Sequence, residues 1–154
     1  MKTLCGRRPG TFRLALLSVL IFYLAACEVD TRISLADARN PPTFELSGNG
    51  SLILFLVVGP YSSAEEVDSK RGVQAIWEIS PGEHAGESVG NLPPITYGSL
   101  PPGFRQKTPS SGAPPPLEEG KFYSIGAPSI GANFRGICFT VEGGEVIKAS
   151  CRER

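Results

Sequence analysis

Four cysteines, one histidine and one serine between glycines are the residues of this 154-residue chain whose types could support chemistry. The cysteines are Cys5, Cys27, Cys138 and Cys151. A thiol can act as a nucleophile, bind a metal, accept a lipid or form a disulfide, and its surroundings decide which. None of the four has the CxxC spacing of a redox pair, so each must be interpreted from the segment that carries it.

The serine lies in Gly86-Glu87-Ser88-Val89-Gly90, which matches the G-x-S-x-G pattern of a nucleophile elbow. That pattern needs a helix after the serine, and Pro93-Pro94 prevent one. A hydrolase of this type also places its histidine after the serine, whereas His84 precedes Ser88. We therefore expect a loop and no catalytic residues, and a small serine hydrolase using Ser88 remains a remote alternative.

His84 is the only histidine of the chain. A structural zinc site takes about four ligands, and we expect the cysteines that could supply the others to be used elsewhere. The sequence thus predicts no metal and no cofactor. The 15 basic residues balance the 15 acidic ones, which argues against a nucleic-acid partner, because such proteins are usually basic.

The first 27 residues are typical of an export signal. Residues 1–13 contain four basic residues and no acid, and residues 14–24 are apolar except for Ser18. The apolar run to Ala26 has 13 residues and would span about 20 Å as a helix, which is short for a hydrocarbon core of about 30 Å. This pattern favours a secretory signal peptide over a permanent membrane span.

The end of this segment, Leu24-Ala25-Ala26-Cys27, resembles the lipobox of bacterial lipoproteins. The resemblance implies cleavage before Cys27, attachment of a diacylglycerol to its thiol, and acylation of the new amino group, with palmitate as a typical chain. The alternatives are an ordinary signal peptide with a chance cysteine and an uncleaved anchor. Under this interpretation Cys5 leaves with the signal, and the protein is held on a membrane of the bacterial envelope, in the periplasm or at the cell surface.

Loss of the leader changes the charge and sets the domain boundaries. The mature chain keeps 11 basic and 15 acidic residues, a net charge of −4. Anionic lipid headgroups repel an acidic surface, so we expect the protein to be tethered to the membrane rather than to lie on it. The predicted organisation is a signal peptide (1–26), a lipidated cysteine with a tether (27–40) and a β-sandwich domain (41–154).

From Thr43 onward the apolar residues alternate with a period of two, which indicates strands. Asn49-Gly50 predicts a two-residue hairpin that sets Leu46 against Ile53 and Phe44 against Phe55. Trp77 belongs to an alternating strand and is expected in the core. About seven short strands without a convincing helix predict an all-β, antiparallel β-sandwich; they are 43–46, 51–58, 73–79, 95–97, 121–126, 134–141 and 145–151.

Residues 117–125 resemble the tyrosine corner of fibronectin type III domains. Leu117 precedes Tyr123 by six positions, Gly120 lies between them, and Ile125 follows. The resemblance implies an immunoglobulin-like sandwich in which the Tyr123 hydroxyl bonds back to the main chain. The whole chain is also similar to small lipoproteins of Gram-negative bacteria, a resemblance that implies a family and no activity.

The last hairpin decides how Cys138 and Cys151 are related. A turn at Gly144-Glu145 places them directly opposite each other, close enough for a disulfide, which an exported protein can form. A turn at Gly143-Gly144 instead places Cys138 opposite Ala149 and makes such a bridge diagonal. We expect the first register and a disulfide between Cys138 and Cys151.

Residues 91–116 contain eight prolines and cannot pair inside a sheet. Tyr97, Leu100 and Phe104 within this segment form a candidate interaction surface; alternatively they cover the edge of the sandwich. The sequence therefore predicts a membrane-anchored, non-catalytic binding or structural module whose partner is an envelope protein or a cell-wall component. An inhibitor or chaperone-like module acting through the 91–116 loop is the alternative.

Overall fold

The computed structural model describes residues 29–69, 74–130, 133–134 and 136–150 of the chain. These residues form twelve strands, one short α-helix, α1 (Ala64–Ser69), and two 3₁₀ turns (Gly82–His84 and Val89–Asn91). The strands are β1 (Asp30–Asp37), β2 (Thr43–Gly48), β3 (Ser51–Leu52), β4 (Phe55–Tyr61), β5 (Ala75–Ser80), β6 (Ile95–Thr96), β7 (Arg105–Thr108), β8 (Phe122–Gly126), β9 (Ser129–Ile130), β10 (Asn133–Phe134), β11 (Ile137–Glu142) and β12 (Glu145–Ala149).

Two main sheets carry the fold. One has the strand order β10-β1-β2-β6, the other β12-β11-β8-β4-β5-β7, and β3 pairs with β9 in a separate ribbon. Of these neighbours only β1 and β10 are parallel. With β1, β2 and β6 taken as strands A, B and E, and β4, β8 and β11 as C, F and G, the order is that of an immunoglobulin-like sandwich. The predicted all-β sandwich is confirmed, with more strands than the seven expected.

Aromatic side chains join the two sheets. The Phe44 ring of β2 lies with its centroid 6.0 Å from that of Phe55 and 5.9 Å from that of Phe139 on the opposing sheet. Trp77 packs edge-on against Phe55 at 5.9 Å. All four side chains are buried, so the predicted core position of Trp77 is confirmed.

The tyrosine corner forms as the resemblance implies. The main-chain N–H of Glu118 donates a hydrogen bond to the Tyr123 hydroxyl, with N and O 2.8 Å apart. Leu117 is buried at this corner, where it closes the end of the core. Burial raises the pKa of Tyr123, so the phenol remains a neutral hydrogen-bonding group.

The tether predicted over 27–40 is wrong for most of its length, because residues 30–37 form β1. In β1 Ile33 lies opposite Leu46, and Leu35 opposite Phe44. Both side chains pack against the core, while the alternate position Arg32 is exposed. The alternation with a period of two is therefore present in this segment, but it is hard to recognise in the sequence because only two of its residues are large and apolar.

The hairpin predicted at Asn49-Gly50 is also wrong. β2 pairs with β1 and β6. After Gly50 the chain leaves this sheet, forms β3 in the separate ribbon and enters the six-stranded sheet at β4. Phe44 and Phe55 still meet, but across the core rather than along a ladder. The Asn-Gly pair instead fixes the start of β1, since the N–H groups of Asn49 and Gly50 both donate to the Asp30 carbonyl.

Two further expectations need correction. The sequence shows no convincing helix, but the short helix α1 forms at Ala64–Ser69. The last hairpin turns at Gly143-Gly144, whose φ values of 62° and 79° match a type I′ turn, and Glu142 pairs with Glu145. The expected turn at Gly144-Glu145 is therefore wrong, because two consecutive glycines accept the positive φ values that this turn requires.

Candidate functional site

The start of β1 is the described part of the chain nearest to the predicted lipid site. Cys27 and the leader lie outside the described residues, and lipidation at Cys27 stays a prediction. Asp30 is held firmly: its N–H donates to Asn49 Oδ1 at 3.0 Å, and its carbonyl accepts from two N–H groups. No helix within the described residues is long and apolar enough to cross a membrane.

The G-x-S-x-G segment does not assemble a nucleophile and its base. The Ser88 hydroxyl donates to the Gly48 carbonyl at 2.9 Å, and Ser88 precedes a 3₁₀ turn of three residues. The two ring nitrogens of His84 face other groups, Glu87 Oε1 at 3.2 Å and the Pro102 carbonyl at 3.1 Å. The segment thus connects the start of β3 to the rest of the fold, since Ser51 also pairs with Ser88.

His84 joins the 3₁₀ turn Gly82–His84 to the turn that precedes β7. Both of its nitrogens face acceptors, so only the protonated ring can donate to both. The hydrogen bond with Glu87, followed by that with Pro102, raises the pKa of His84 above its usual value. Gly103 packs so closely on the imidazole that a Cβ there would lie 2.6 Å from Nε2, so this position needs glycine. Among the described residues no three His, Cys, Asp or Glu side chains are grouped to hold a metal.

The candidate surface of Tyr97, Leu100 and Phe104 is largely wrong. Tyr97 and Phe104 are 5% and 6% exposed, and only Leu100 reaches solvent, at 46%. Tyr97 packs edge-on against Trp77, and its hydroxyl donates to the Pro115 carbonyl at 2.7 Å. The alternative interpretation, that these side chains cover the sandwich, is the correct one for Tyr97 and Phe104.

Gln106 holds the rest of the proline-rich segment. Its Oε1 accepts from the Trp77 indole N–H at 3.2 Å, and its Nε2 donates to the carbonyls of Pro109 and Gly112, each at 2.8 Å. The segment contributes β6 and β7, which are both edge strands. The prediction that the proline-rich segment does not pair inside a sheet is confirmed.

The two cysteines at the last hairpin are only partly described. Cys138 is buried on β11 and lies opposite Ala149, as in the second of the two registers weighed from the sequence. Cys151 lies outside the described residues, so the bridge stays a prediction. β12 ends at Ala149, and therefore the ladder does not fix the position of Cys151.

An apolar cavity of about 180 Å³ opens on the flank of the sandwich between β1 and β12. Three backbone contacts close one end of this flank: the Arg39–Glu145 bridge, Asn40 N–H to the Gly144 carbonyl, and Val146 N–H to the Ala38 carbonyl. Lys148 is the single charged side chain among the described residues that line the cavity. The lining residues are Ile33, Ser34, Leu35, Phe44, Ile137, Phe139, Val146 and Lys148.

The sequence does not predict this cavity, because Ile33 and Leu35 lie in the segment that is expected to be a tether. A signal was present, since Thr31, Ile33 and Leu35 alternate with Arg32 and Ser34. In addition, β1 has no strand partner beyond Thr31 on its outer side among the described residues. Within the described part of the chain, the edge of β1 from Arg32 to Asp37 therefore lies open beside the cavity.

Comparisons of the chain with protein-family models, with curated proteins and with solved structures found no match.

Proposed function

We propose that the protein is a lipid-anchored protein of the bacterial envelope whose sandwich domain is a non-catalytic binding module. The observation that carries the proposal is the lipobox-like Leu24-Ala25-Ala26-Cys27 after a basic and apolar leader. Only two residues, Glu28 and Val29, separate Cys27 from the start of β1 at Asp30. Acyl chains on Cys27 then hold the domain on a membrane, because two or three chains anchor a protein stably.

The anchor is tested by expressing the full chain in a Gram-negative bacterium with an alkyne analogue of palmitate. The wild-type protein and the Cys5→Ser control are expected to incorporate the label and to fractionate with membranes. The Cys27→Ser variant is expected to lose the label. Equal labelling of Cys27→Ser and wild type would contradict lipidation at this residue.

The flank between β1 and β12 is the proposed binding site, and an extended peptide segment of an envelope protein is its proposed partner. The open edge of β1 offers backbone hydrogen-bonding groups that a lipid or a sugar would match less well than a peptide strand. The cavity of about 180 Å³ has room for one apolar side chain of that strand, as a cavity of about 150 Å³ binds benzene. Lys148 favours an acidic residue at the end of the segment.

A capped peptide of sequence Thr-Val-Thr-Leu-Thr-Val-Glu tests this site by NMR titration. The backbone amides of residues 32–36 are expected to shift, Leu35→Trp to abolish binding by filling the cavity, and Lys148→Glu to weaken it about twofold to fivefold. Ile147→Trp, on the opposite face of β12 from Val146, is the matched control and should bind normally. Shifts confined to other regions, or binding that survives Leu35→Trp, would refute the site; retention of a cell-wall fragment alone would identify a different partner.

Two alternatives have separate tests. Leu100 is the exposed large apolar residue of the 91–116 loop, so an inhibitor that acts through this loop is expected to bind its target more weakly in Leu100→Ser. A serine hydrolase would lose its activity in Ser88→Ala.

We also propose a disulfide bridge between Cys138 and Cys151. Mass spectrometry without reductant is expected to find their peptides linked, and alkylation of both thiols would contradict the bridge.

A further inference from the structure

We propose that the ribbon of β3 and β9 lies against the lipid bilayer, with Ile53 and Ile130 in contact with its surface. The inference rests on the lipid anchor at Cys27 proposed above. It adds a second point of attachment, formed by the folded domain itself.

The ribbon lies at the end of the sandwich where the anchor enters. Gly50, directly before β3, donates its N–H to the Asp30 carbonyl at 3.3 Å. Beyond β9 the chain reaches β10, in which Asn133 pairs with Asp30. The chain just before β3 and the chain after β9 therefore both contact Asp30, the first residue of β1.

The length of chain between anchor and domain keeps this end close to the membrane. Only Glu28 and Val29 separate Cys27 from Asp30, and three residue steps span at most about 10 Å. A 13-residue tether would have allowed the domain to rotate freely above the headgroups, whereas this spacer does not. The end that carries Asp30 must face the bilayer.

Two isoleucines are exposed at the ribbon, one in β9 and one directly after β3. Ile130 is 68% exposed and Ile53 is 48% exposed, whereas Leu52, between Ile53 and the half-buried Ser51, is buried. Ile130 pairs with Ser51, and the Ile53 N–H donates to the Pro128 carbonyl at 2.9 Å. Cross-strand partners share a face of a ribbon, so Ile53 and Ile130 lie diagonally on its outer face.

The two chain segments that contain the ribbon strands carry no charged side chain, and the carboxylate of the neighbouring Asp30 is paired with Arg32. Residues 46–64 and 122–134 lack Asp, Glu, Lys and Arg, although the mature chain as a whole carries a net charge of −4. Acidic groups near an anionic headgroup layer are repelled, and charged groups near hydrocarbon are costly. An uncharged ribbon with two exposed aliphatic side chains avoids both costs and gains from burial of apolar area.

Tryptophan scanning on the lipidated full chain tests the contact. Wild type, Ile53→Trp, Ile130→Trp and Ile147→Trp are purified with the lipid attached and placed in vesicles that contain a lipid brominated on its acyl chains. Ile147 is a matched control because it is 46% exposed but neighbours Val146, whose N–H bonds Ala38 at the far end of β1. β1 has eight residues and spans about 25 Å, and this length separates the control position from the ribbon.

The bromines are expected to quench the tryptophans at positions 53 and 130 and to leave that at position 147 at the wild-type level. The buried Trp77 supplies the constant background, and an unchanged Tm shows that each variant is folded. Quenching at 53 and 130 no stronger than at 147, in protein that carries labelled palmitate, would overturn this inference alone. Protein without palmitate would overturn the anchor and this inference together.

Discussion

The hydroxyl of Thr31 is buried without a hydrogen-bond partner among the described residues, and the side chain is 1% exposed. Thr43 and Thr96 offer the opposite case, since their hydroxyls lie 2.8 Å apart and satisfy each other. A buried hydroxyl without a partner costs free energy, whereas a paired one contributes modestly. The same substitution should therefore have opposite effects at these positions.

Thr31→Val is expected to raise the free energy of unfolding by about 1 kcal/mol, because valine keeps the shape and removes the unpaired polar group. Thr96→Val is expected to lower it by about 1 kcal/mol, because it leaves the Thr43 hydroxyl unpaired. Urea unfolding monitored by Trp77 fluorescence measures both. A loss in Thr31→Val as large as that in Thr96→Val would show that Thr31 has a partner in the folded protein.

His84 makes the stability of the fold dependent on pH. Its pKa is raised from an ordinary value of 6.5 by the hydrogen bonds with Glu87 and then with the Pro102 carbonyl. A raised pKa in the folded state means that this stabilisation is complete below about pH 6.5 and disappears as the pH rises through the folded-state value. Glu83 contributes a smaller attraction in the same direction.

Wild type is therefore expected to lose more stability than His84→Gln when the pH rises from about 6 to about 8. Thermal unfolding at the two pH values measures the difference, and an NMR titration of the imidazole gives the folded-state pKa directly. A folded-state value below that of an unfolded peptide would contradict the assignment of the two acceptors.

At the scale of single elements, β8 depends on the corner that precedes it. The Tyr123 hydroxyl accepts the N–H of Glu118, while the Tyr97 hydroxyl donates to Pro115 within the proline-rich segment. Tyr123→Phe leaves the Glu118 N–H without its partner and is expected to cost about 1–2 kcal/mol of stability.

Hydrogen exchange distinguishes this effect from a general loss of packing. The Glu118 amide is expected to exchange faster in Tyr123→Phe and at the wild-type rate in Tyr97→Phe after correction for global stability. Unchanged protection of that amide in Tyr123→Phe would refute the role of the hydroxyl.

β1 shows why the N-terminal boundary of the domain could not be read from the sequence. Its inward side chains Ile33 and Leu35 stand among small and charged residues that resemble a linker. Their burial depends on β2, which supplies Leu46 and Phe44 as neighbours. A strand with only two large apolar residues is stable only through such tertiary contacts.

At the scale of the whole molecule, the folding unit is expected to begin at residue 29 and not at residue 41. Complete burial of an Ile or Leu side chain contributes about 1.5–3 kcal/mol, so removing β1 should cost more than about 3 kcal/mol together with its ladder. A chain that starts at residue 41 is expected to unfold without a cooperative transition, whereas one that starts at residue 29 unfolds cooperatively. Equal Tm values by circular dichroism would show that β1 is dispensable.

The two ends of the sandwich differ in character. The end with Asp30 carries the uncharged ribbon, and the other end carries the tyrosine corner and the closed part of the flank, where Arg39 lowers the pKa of Asp37 to about 2. With an anchor at Cys27, the bilayer faces the Asp30 end of the sandwich, whereas the cavity between β1 and β12 opens on its flank. A partner could therefore reach it without displacing the domain from the lipid.

The sequence by itself determined what depends on local patterns: the all-β class, the tyrosine corner at Leu117–Ile125, the core position of Trp77 and the exclusion of the proline-rich segment from the inside of a sheet. Periodicity, turn residues and proline act within a few positions of the chain. Only the tertiary structure decided that 30–37 is a strand, that Asn49-Gly50 is a crossing between sheets, and that Tyr97 and Phe104 are buried. Those outcomes depend on which distant strand offers a partner, because the same alternating residues can pair along a ladder or across a core.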